Sequence, residues 1–248
     1  SVLTVYHCLD PYESFYPRLA LTEPKMFSAA DITIVTAPVL ESKALMHTEE
    51  VHLVPNGVDI EHFETVYTEN FSLPKDFLNI PEPRIGYIGT IAHWMDFELL
   101  EDMSDKLEAS IVLIGPVESD EALELQKKEN IFLLGQKPYL ELPSFLAYID
   151  LCIIPFKIND LTKAVDPIKV YEYLAAGKDV VSTPLPALEP LSDSITLSSS
   201  EEFTSSVKQI LENPSTDESI VTKTEAMQEH TWKGRALKID SIIKNHRI

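Results

Sequence analysis

Lys157, Lys163 and Lys169 crowd one short polar stretch, opposed there by only Asp160 and Asp166. The whole chain of 248 residues carries 40 acidic and 20 basic side chains, a formal charge of −20. A local cationic excess in so acidic a chain points to bound negative charge. Pro167 suits the first turn of a helix, whose free N–H groups and positive dipole end would also face an anion. Glu172 follows Lys169 by three residues, so both can share one helix face. A cation for phosphate and a carboxylate for a sugar diol, one turn apart, suit a nucleotide. The bland alternative is a solvated Lys169–Glu172 ion pair, worth well under ~1 kcal/mol.

Other chemistries are absent. Gly86 and Gly89 are spaced G-x-x-G, and no G-x-G-x-x-G, Walker A loop, G-x-S-x-G elbow or H-E-x-x-H occurs. There is no D-x-D, no cysteine pair with zinc spacing, and the 7 histidines are scattered. These gaps argue against dehydrogenases, P-loop enzymes, zincins and serine hydrolases, and no metal or other cofactor is expected. The negative charge opposes nucleic acid and anionic lipid, which leaves at most peripheral membrane contact. No apolar run approaches the ~18 residues that suggest a membrane span, and the opening residues lack a signal peptide's pattern. Cys8 and Cys152 sit far apart in apolar stretches and read as reduced, buried thiols, so a cytoplasmic location is expected.

The elements that must hold the lysine loop alternate along the chain. Apolar content of 44% with 24% charge is that of a globular protein. Strands are expected over 2–6, 32–36, 51–54, 84–88, 110–114, 131–134, 151–154 and 179–182. Helices are expected over 96–107, 121–127, 140–148 and 168–176, with Gly177 to stop the last. Strands apolar on both faces, alternating with helices, predict an α/β fold with a doubly wound parallel sheet. The proline-marked stretch 65–83 reads as a linker. A chain that opens inside a β-type run lacks neighbours for that run, so a preceding segment is expected to hold them. The final stretch, 231–248, reads as a helix with Trp232, Ala236, Ile239 and Ile243 on one face. Lys233, Arg235, Lys238, Lys244 and Arg247 lie on the other, and the expectation is a closing helix on the acidic body rather than a membrane foot.

The run Pro167-Ile168-Lys169-Val170-Tyr171-Glu172-Tyr173-Leu174-Ala175-Ala176-Gly177-Lys178 resembles the P-x-K-x-x-E-Y-L-A-x-G-K signature of bacterial GT-B glycosyltransferases. The likeness is to family 4-like enzymes of cell-surface polysaccharide synthesis, of the teichuronic-acid type. Val54-Pro55-Asn56-Gly57-Val58-Asp59, the loop Gly86 to Ile91 and the strand Asp150 to Phe156 resemble other segments of that family, in order. The resemblance implies a GT-B fold: a partial N-terminal Rossmann-like acceptor lobe over 1–64, a linker over 65–83, a donor domain over 84–230 and a crossing helix over 231–248.

Carried onto this chain, the resemblance places Lys169 on the donor diphosphate and Glu172 on the ribose, with Tyr171 between them in the signature. Gly89 and Thr90 would let backbone approach the phosphates. Asn159 and Thr162 would line the sugar pocket, Pro155 and Phe156 would form an apolar wall, and Gln136 and Lys137 lie in the segment that reads the base. Ala164 stands where many relatives carry a first Glu, and His93 and Trp94 where an Arg/Lys pair is frequent. Asp10, at a strand end facing the cleft, is the candidate general base, with His7 a weaker one; an Asp before Pro11 is also a common turn residue. The expected reaction moves a sugar, from a UDP-sugar by preference, to a glycan or lipid-linked acceptor hydroxyl without metal. A non-hydrolysing UDP-sugar epimerase and a non-catalytic nucleotide-sugar binding module are the alternatives.

Overall fold

The computed structural model describes residues 2–246; Ser1, Arg247 and Ile248, the extremes of the expected first and last segments, lie outside the described residues. Two separate parallel sheets organise the chain. The small lobe holds β1 (Val5–Cys8), β2 (Ile32–Val35) and β3 (Val51–Leu53) in that order. The large lobe holds β4 (Arg84–Ile88), β5 (Ser110–Ile114), β6 (Ile131–Gly135), β7 (Leu151–Ile154), β8 (Asp179–Ser182) and β9 (Thr196–Leu197), ordered β6-β5-β4-β7-β8-β9.

Every residue of β4, β5 and β7 is buried, because helices cover both faces. The winding direction reverses between β4 and β7, which pair directly. Such a switch leaves a crevice beyond the strands' C-terminal ends, where ligands bind in this architecture. Two of the sequence segments of interest emerge there: Gly89-Thr90 after β4, and Pro155-Phe156 after β7.

The core of the large lobe includes Tyr87, Phe203 and Tyr173, all fully buried. The small sheet is covered on one face by Phe27 and Leu40, joined by Ala164 and Ala187 from the large lobe. Its other face, Ile32, Ile34 and Val54, packs on Ile239, Ile242 and Ile243 of the helix Trp232–His246. That helix therefore closes back over the small lobe, and Lys238 donates to the Leu53 carbonyl at 2.9 Å. Among the described residues, no helix is long and apolar enough to cross a membrane.

Several boundaries differ from the sequence expectation. The first strand starts three residues later, because its register against β2 begins at Val5↔Ile32. The two-residue β9 is too short for any periodicity to mark. Residues 65–83 are not a loose linker: Phe77 and Ile80 are buried in the large-lobe core, together with Val58, Ile60 and Phe63. The prolines there punctuate the chain, but scattered apolar anchors fasten it. The helices expected over 121–127 and 140–148 shorten to Asp120–Leu125 and Leu142–Leu146, the latter entered through a 3-10 turn at Tyr139–Glu141. The free thiols Cys8 and Cys152 are both buried.

Candidate functional site

The floor of the site is a close approach of two backbone loops. Gly89 leaves β4 at φ 144° and Gly115 leaves β5 at φ 153°, both in the region that favours glycine. A Cβ on Gly115 would lie 2.0 Å from the Gly89 carbonyl oxygen, so no other residue fits. The Tyr87 hydroxyl donates to the Thr90 carbonyl at 2.9 Å and holds the turn in shape.

Against this floor lies the helix Lys169–Ala175. At seven residues it sums little macrodipole, so the ammonium of Lys169, not the helix end, is the cation of the site. The nitrogen lies 5.1 Å from the ring centroid of Tyr87 and 5.0 Å from that of Phe156, within the range of cation–π attraction. A Cβ on Gly89 would come within 2.9 Å of the lysine stem. Burial among these groups pulls Lys169 down to about 8, partly offset by the Glu172 charge. Burial likewise raises Glu172 to about 7, with Lys169 opposing. The two form no ion pair within 4.0 Å and both are partly buried, so the solvated surface pair is not what the structure contains.

Lys169 faces a cleft of about 460 Å³ between the lobes. The small lobe contributes Leu9, Asp10, Phe15 and Asn56, and the large lobe an apolar wall of Trp94, Phe156, Leu161 and Val165. Phe15 and Trp94 meet edge-on across it at 6.4 Å. Most polar side chains here are already committed. Thr162 donates to the Lys157 carbonyl, Tyr87 to Thr90, and Asn56 to the Asp166 carbonyl at 2.7 Å. Among the described residues, the Asp10 carboxylate, the Thr90 hydroxyl and the Lys169 ammonium remain without a hydrogen-bond partner. Burial raises the Asp10 carboxyl above its usual range, which makes its carboxylate a better proton acceptor.

The structure thus brings Asp10, Thr90, Phe156, Thr162 and Lys169 to one cleft, with Gly89 behind the lysine. Pro155 is buried behind Phe156, and its carbonyl accepts the Asp96 amide at 2.8 Å. Asn159 lies on the exposed side of its loop as the cap of the helix Asp160–Lys163, its side chain accepting from the Thr162 amide at 3.1 Å. Tyr171 is buried with its hydroxyl on Asp166, 3.1 Å away. Glu172 does not line the cleft; burial, and then the charges of Glu172 and Asp59, push the Tyr139 hydroxyl up to about 12. Tyr139 follows Gln136, which is exposed, and Lys137, which pairs with Asp76 at 3.0 Å. His7 is exposed on β1 outside the cleft. Ala164 is buried against the small-lobe cluster around Cys8 and Phe27. Phe15 and the Asn56–Asp166 contact escaped the sequence reading: nothing local marks a bond between residues so distant in the chain. Among the described residues, no three His, Cys, Asp or Glu side chains gather as a metal site.

Two parallel α/β lobes around a cleft at the β4–β7 switch define an architecture of GT-B type. Residues 82–213 match the family model described as glycosyl transferases group 1, and the chain belongs to that family. Over 154 residues it is 31% identical to the Bacillus subtilis (strain 168) protein named "Putative teichuronic acid biosynthesis glycosyltransferase TuaH". The match covers 60% of this chain and 38% of that relative's length. Among solved structures, Anabaena HepE (Alr3699) in complex with UDP and glucose superposes with a TM-score of 0.75 at 17% identity, over 97% of this chain and 71% of that one. Sucrose-phosphate synthase from Thermosynechococcus elongatus gives 0.74 at 18% identity, over 97% and 66%.

Proposed function

We propose that the protein is a glycosyltransferase, or the donor-binding part of one, that takes a sugar from a nucleotide diphosphate, UDP by preference. The acceptor is a hydroxyl of a glycan or lipid-linked glycan in cell-surface polysaccharide synthesis, and the location is cytoplasmic. The observation that carries the reading is the unpartnered Lys169 ammonium, held between two rings at the β4–β7 switch. In this reading the large lobe binds donor, the small lobe acceptor, and the last helix couples them. Lys169 and Thr90 meet the diphosphate in the cleft, whose apolar wall receives the sugar. The nucleoside extends out of it, its ribose to Glu172, one turn beyond Lys169, and its base to the Gln136–Lys137 segment.

The chemistry then balances. The acceptor oxygen attacks the anomeric carbon while the bond from that carbon to the diphosphate oxygen breaks. The diphosphate leaves with the electron pair, and Lys169 stabilises its growing charge in a water-poor cleft. Asp10 accepts the proton of the acceptor hydroxyl. The name of the Bacillus subtilis relative and the UDP complex of HepE support the donor and the pathway class. The family match lends no support to an epimerase. A non-catalytic binding module has one observation in its favour, the apolar Ala164 packed where many relatives carry an acid.

Calorimetric titration of the chain with UDP, ADP and GDP, beside Lys169→Ala, tests the donor site. Micromolar UDP binding lost by ~1.5–3 kcal/mol in the variant supports the reading, as for a charge-assisted contact. Equal binding by the variant, or none of the three nucleotides bound by the unsubstituted chain, sinks it.

A further inference from the structure

Asp166 is 3% exposed and lies at the seam between the lobes. Its carboxylate accepts the backbone N–H of Asn56 at 2.6 Å and the hydroxyl of Tyr171 at 3.1 Å. Its carbonyl accepts the Asn56 side-chain amide at 2.7 Å. Asn56 stands 110 residues earlier, just beyond β3. The Asn56 carbonyl in turn accepts from Arg235 at 3.0 Å, and Arg235 reaches a His230 ring nitrogen at 2.7 Å. The His230 ring stacks on Tyr171 at 5.3 Å, which closes the circuit. The end of the small lobe, the lysine loop, the signature helix and the crossing segment are therefore joined around one buried carboxylate.

Lys169 sits between Asp166 and Tyr171 in sequence, and both of these are clamped. Its ammonium rests on the faces of Tyr87 and Phe156, which fix direction weakly, and its stem packs over Gly89. Burial lowers the Lys169 ammonium and the Glu172 charge opposes it. The Asp166 carboxylate is engaged by Asn56 and Tyr171, so it acts on Lys169 through the loop it holds.

We propose that Asp166 is a positioning residue that fastens the loop entering the signature helix to Asn56, so that lobe geometry and placement of the Lys169 ammonium change together. The inference rests on the donor-site reading above. Parting the lobes would strip the buried carboxylate of its Asn56 donor, which a buried polar group resists. Closure onto donor and orientation of its phosphate ligand then become a single event.

The test compares the unsubstituted chain, Asp166→Ala and Asp166→Asn by two readouts: UDP affinity by calorimetry, and the Lys169 titration followed by NMR of labelled lysine. In Asp166→Ala, UDP binding weakens about tenfold, within the usual range of coupling between sites. Its Lys169 midpoint rises from about 8 toward the ordinary lysine range. Asp166→Asn still accepts the Asn56 N–H and restores both readouts. A folded Asp166→Ala with both readouts unchanged overturns the proposal, as does an Asp166→Asn as impaired as Asp166→Ala. Should Asp166→Ala fail to fold, Asn56→Ala removes only the side-chain bond to the Asp166 carbonyl; it should move the lysine midpoint in the same direction, and no movement overturns the proposal. Absence of UDP binding by the unsubstituted chain defeats the donor reading, while the lysine titration still decides the positioning role.

Discussion

The hydroxyl of Tyr173 accepts the amide N–H of Ile88 at 2.7 Å and lies 3.3 Å from the Ile88 carbonyl. One side chain of the signature helix thereby holds the last residue of β4, immediately before Gly89. The helix that presents Lys169 and the turn that backs it are locked in register by this buried contact. The Tyr in the signature is thus a structural partner of the glycine loop.

Tyr173→Phe leaves the Ile88 N–H buried without its acceptor. The expected cost is about 1–3 kcal/mol, or roughly 2–4 °C in melting temperature for each kcal/mol in a chain of this size. Thermal melting followed by circular dichroism checks it; an unchanged midpoint would mean the N–H has another partner.

Lys169→Met keeps a stem that packs on Tyr87 and Phe156 but removes the charge. Because the ammonium is partly desolvated without an ion-pair partner, the variant should melt at or above the parent temperature. UDP affinity should nevertheless fall by about 1.5–3 kcal/mol, the worth of a charged hydrogen bond. Loss of both stability and binding would point to packing as the main role of the residue.

Affinity and stability should follow opposite pH trends above neutrality. Lys169 titrates near 8 in the folded chain and near its ordinary value of 10.5 when unfolded. Its depressed value means that its contribution to stability is fully present above 10.5 and is lost as pH falls through 8. Stability from this group therefore rises with pH across that window. UDP affinity falls across the same window, because the free protein loses the cation the diphosphate needs. Titrations at pH 9 in buffers of different ionisation enthalpy should show proton uptake on UDP binding; no uptake there would remove Lys169 from the contact.

Gly115→Ala would force a Cβ to within 2.0 Å of the Gly89 carbonyl at a φ of 153°. Backbone strain of this kind costs about 2–3 kcal/mol, and the Gly89 turn must move to relieve it. A lowered urea midpoint, with weaker UDP binding, is the expected pair of results. An unshifted midpoint would show that the two loops separate at no cost.

Asp10→Asn should lower sugar transfer, relative to the unsubstituted protein, by about 10²–10⁴-fold, the usual contribution of a general base. Donor affinity should stay within about threefold, since Asp10 enters the cleft from the small lobe and Lys169 from the large one. Retained turnover would take Asp10 out of the mechanism.

Much of the scaffold is legible without coordinates. The strands Arg84–Ile88, Ser110–Ile114, Leu151–Ile154 and Asp179–Ser182 fall at the residues their apolar runs mark, because a strand buried on both faces must be apolar throughout. The edge strand β1 is half exposed and carries a weaker pattern, so its apolar run starts three residues before the strand itself. In the candidate site, Asp10, Thr90, Phe156, Thr162 and Lys169 meet at one cleft. Asn159 and Thr162 spend their polar groups on their own loop, a use that residue type alone does not distinguish from ligand binding.

The alternation of strands and helices, the family signature and the lysine that gives the loop its charge can all be read along the chain. These are local properties, written in periodicity and residue type. It takes the packed fold to set Lys169 between two rings and unpaired with Glu172, and to bond Asp166 to a residue 110 positions away. A helix face three residues wide permits an ion pair, but the packing of Tyr87 and Phe156 sets where the ammonium goes. Contacts between lobes depend on how two separately wound sheets meet, and no short-range pattern encodes that meeting.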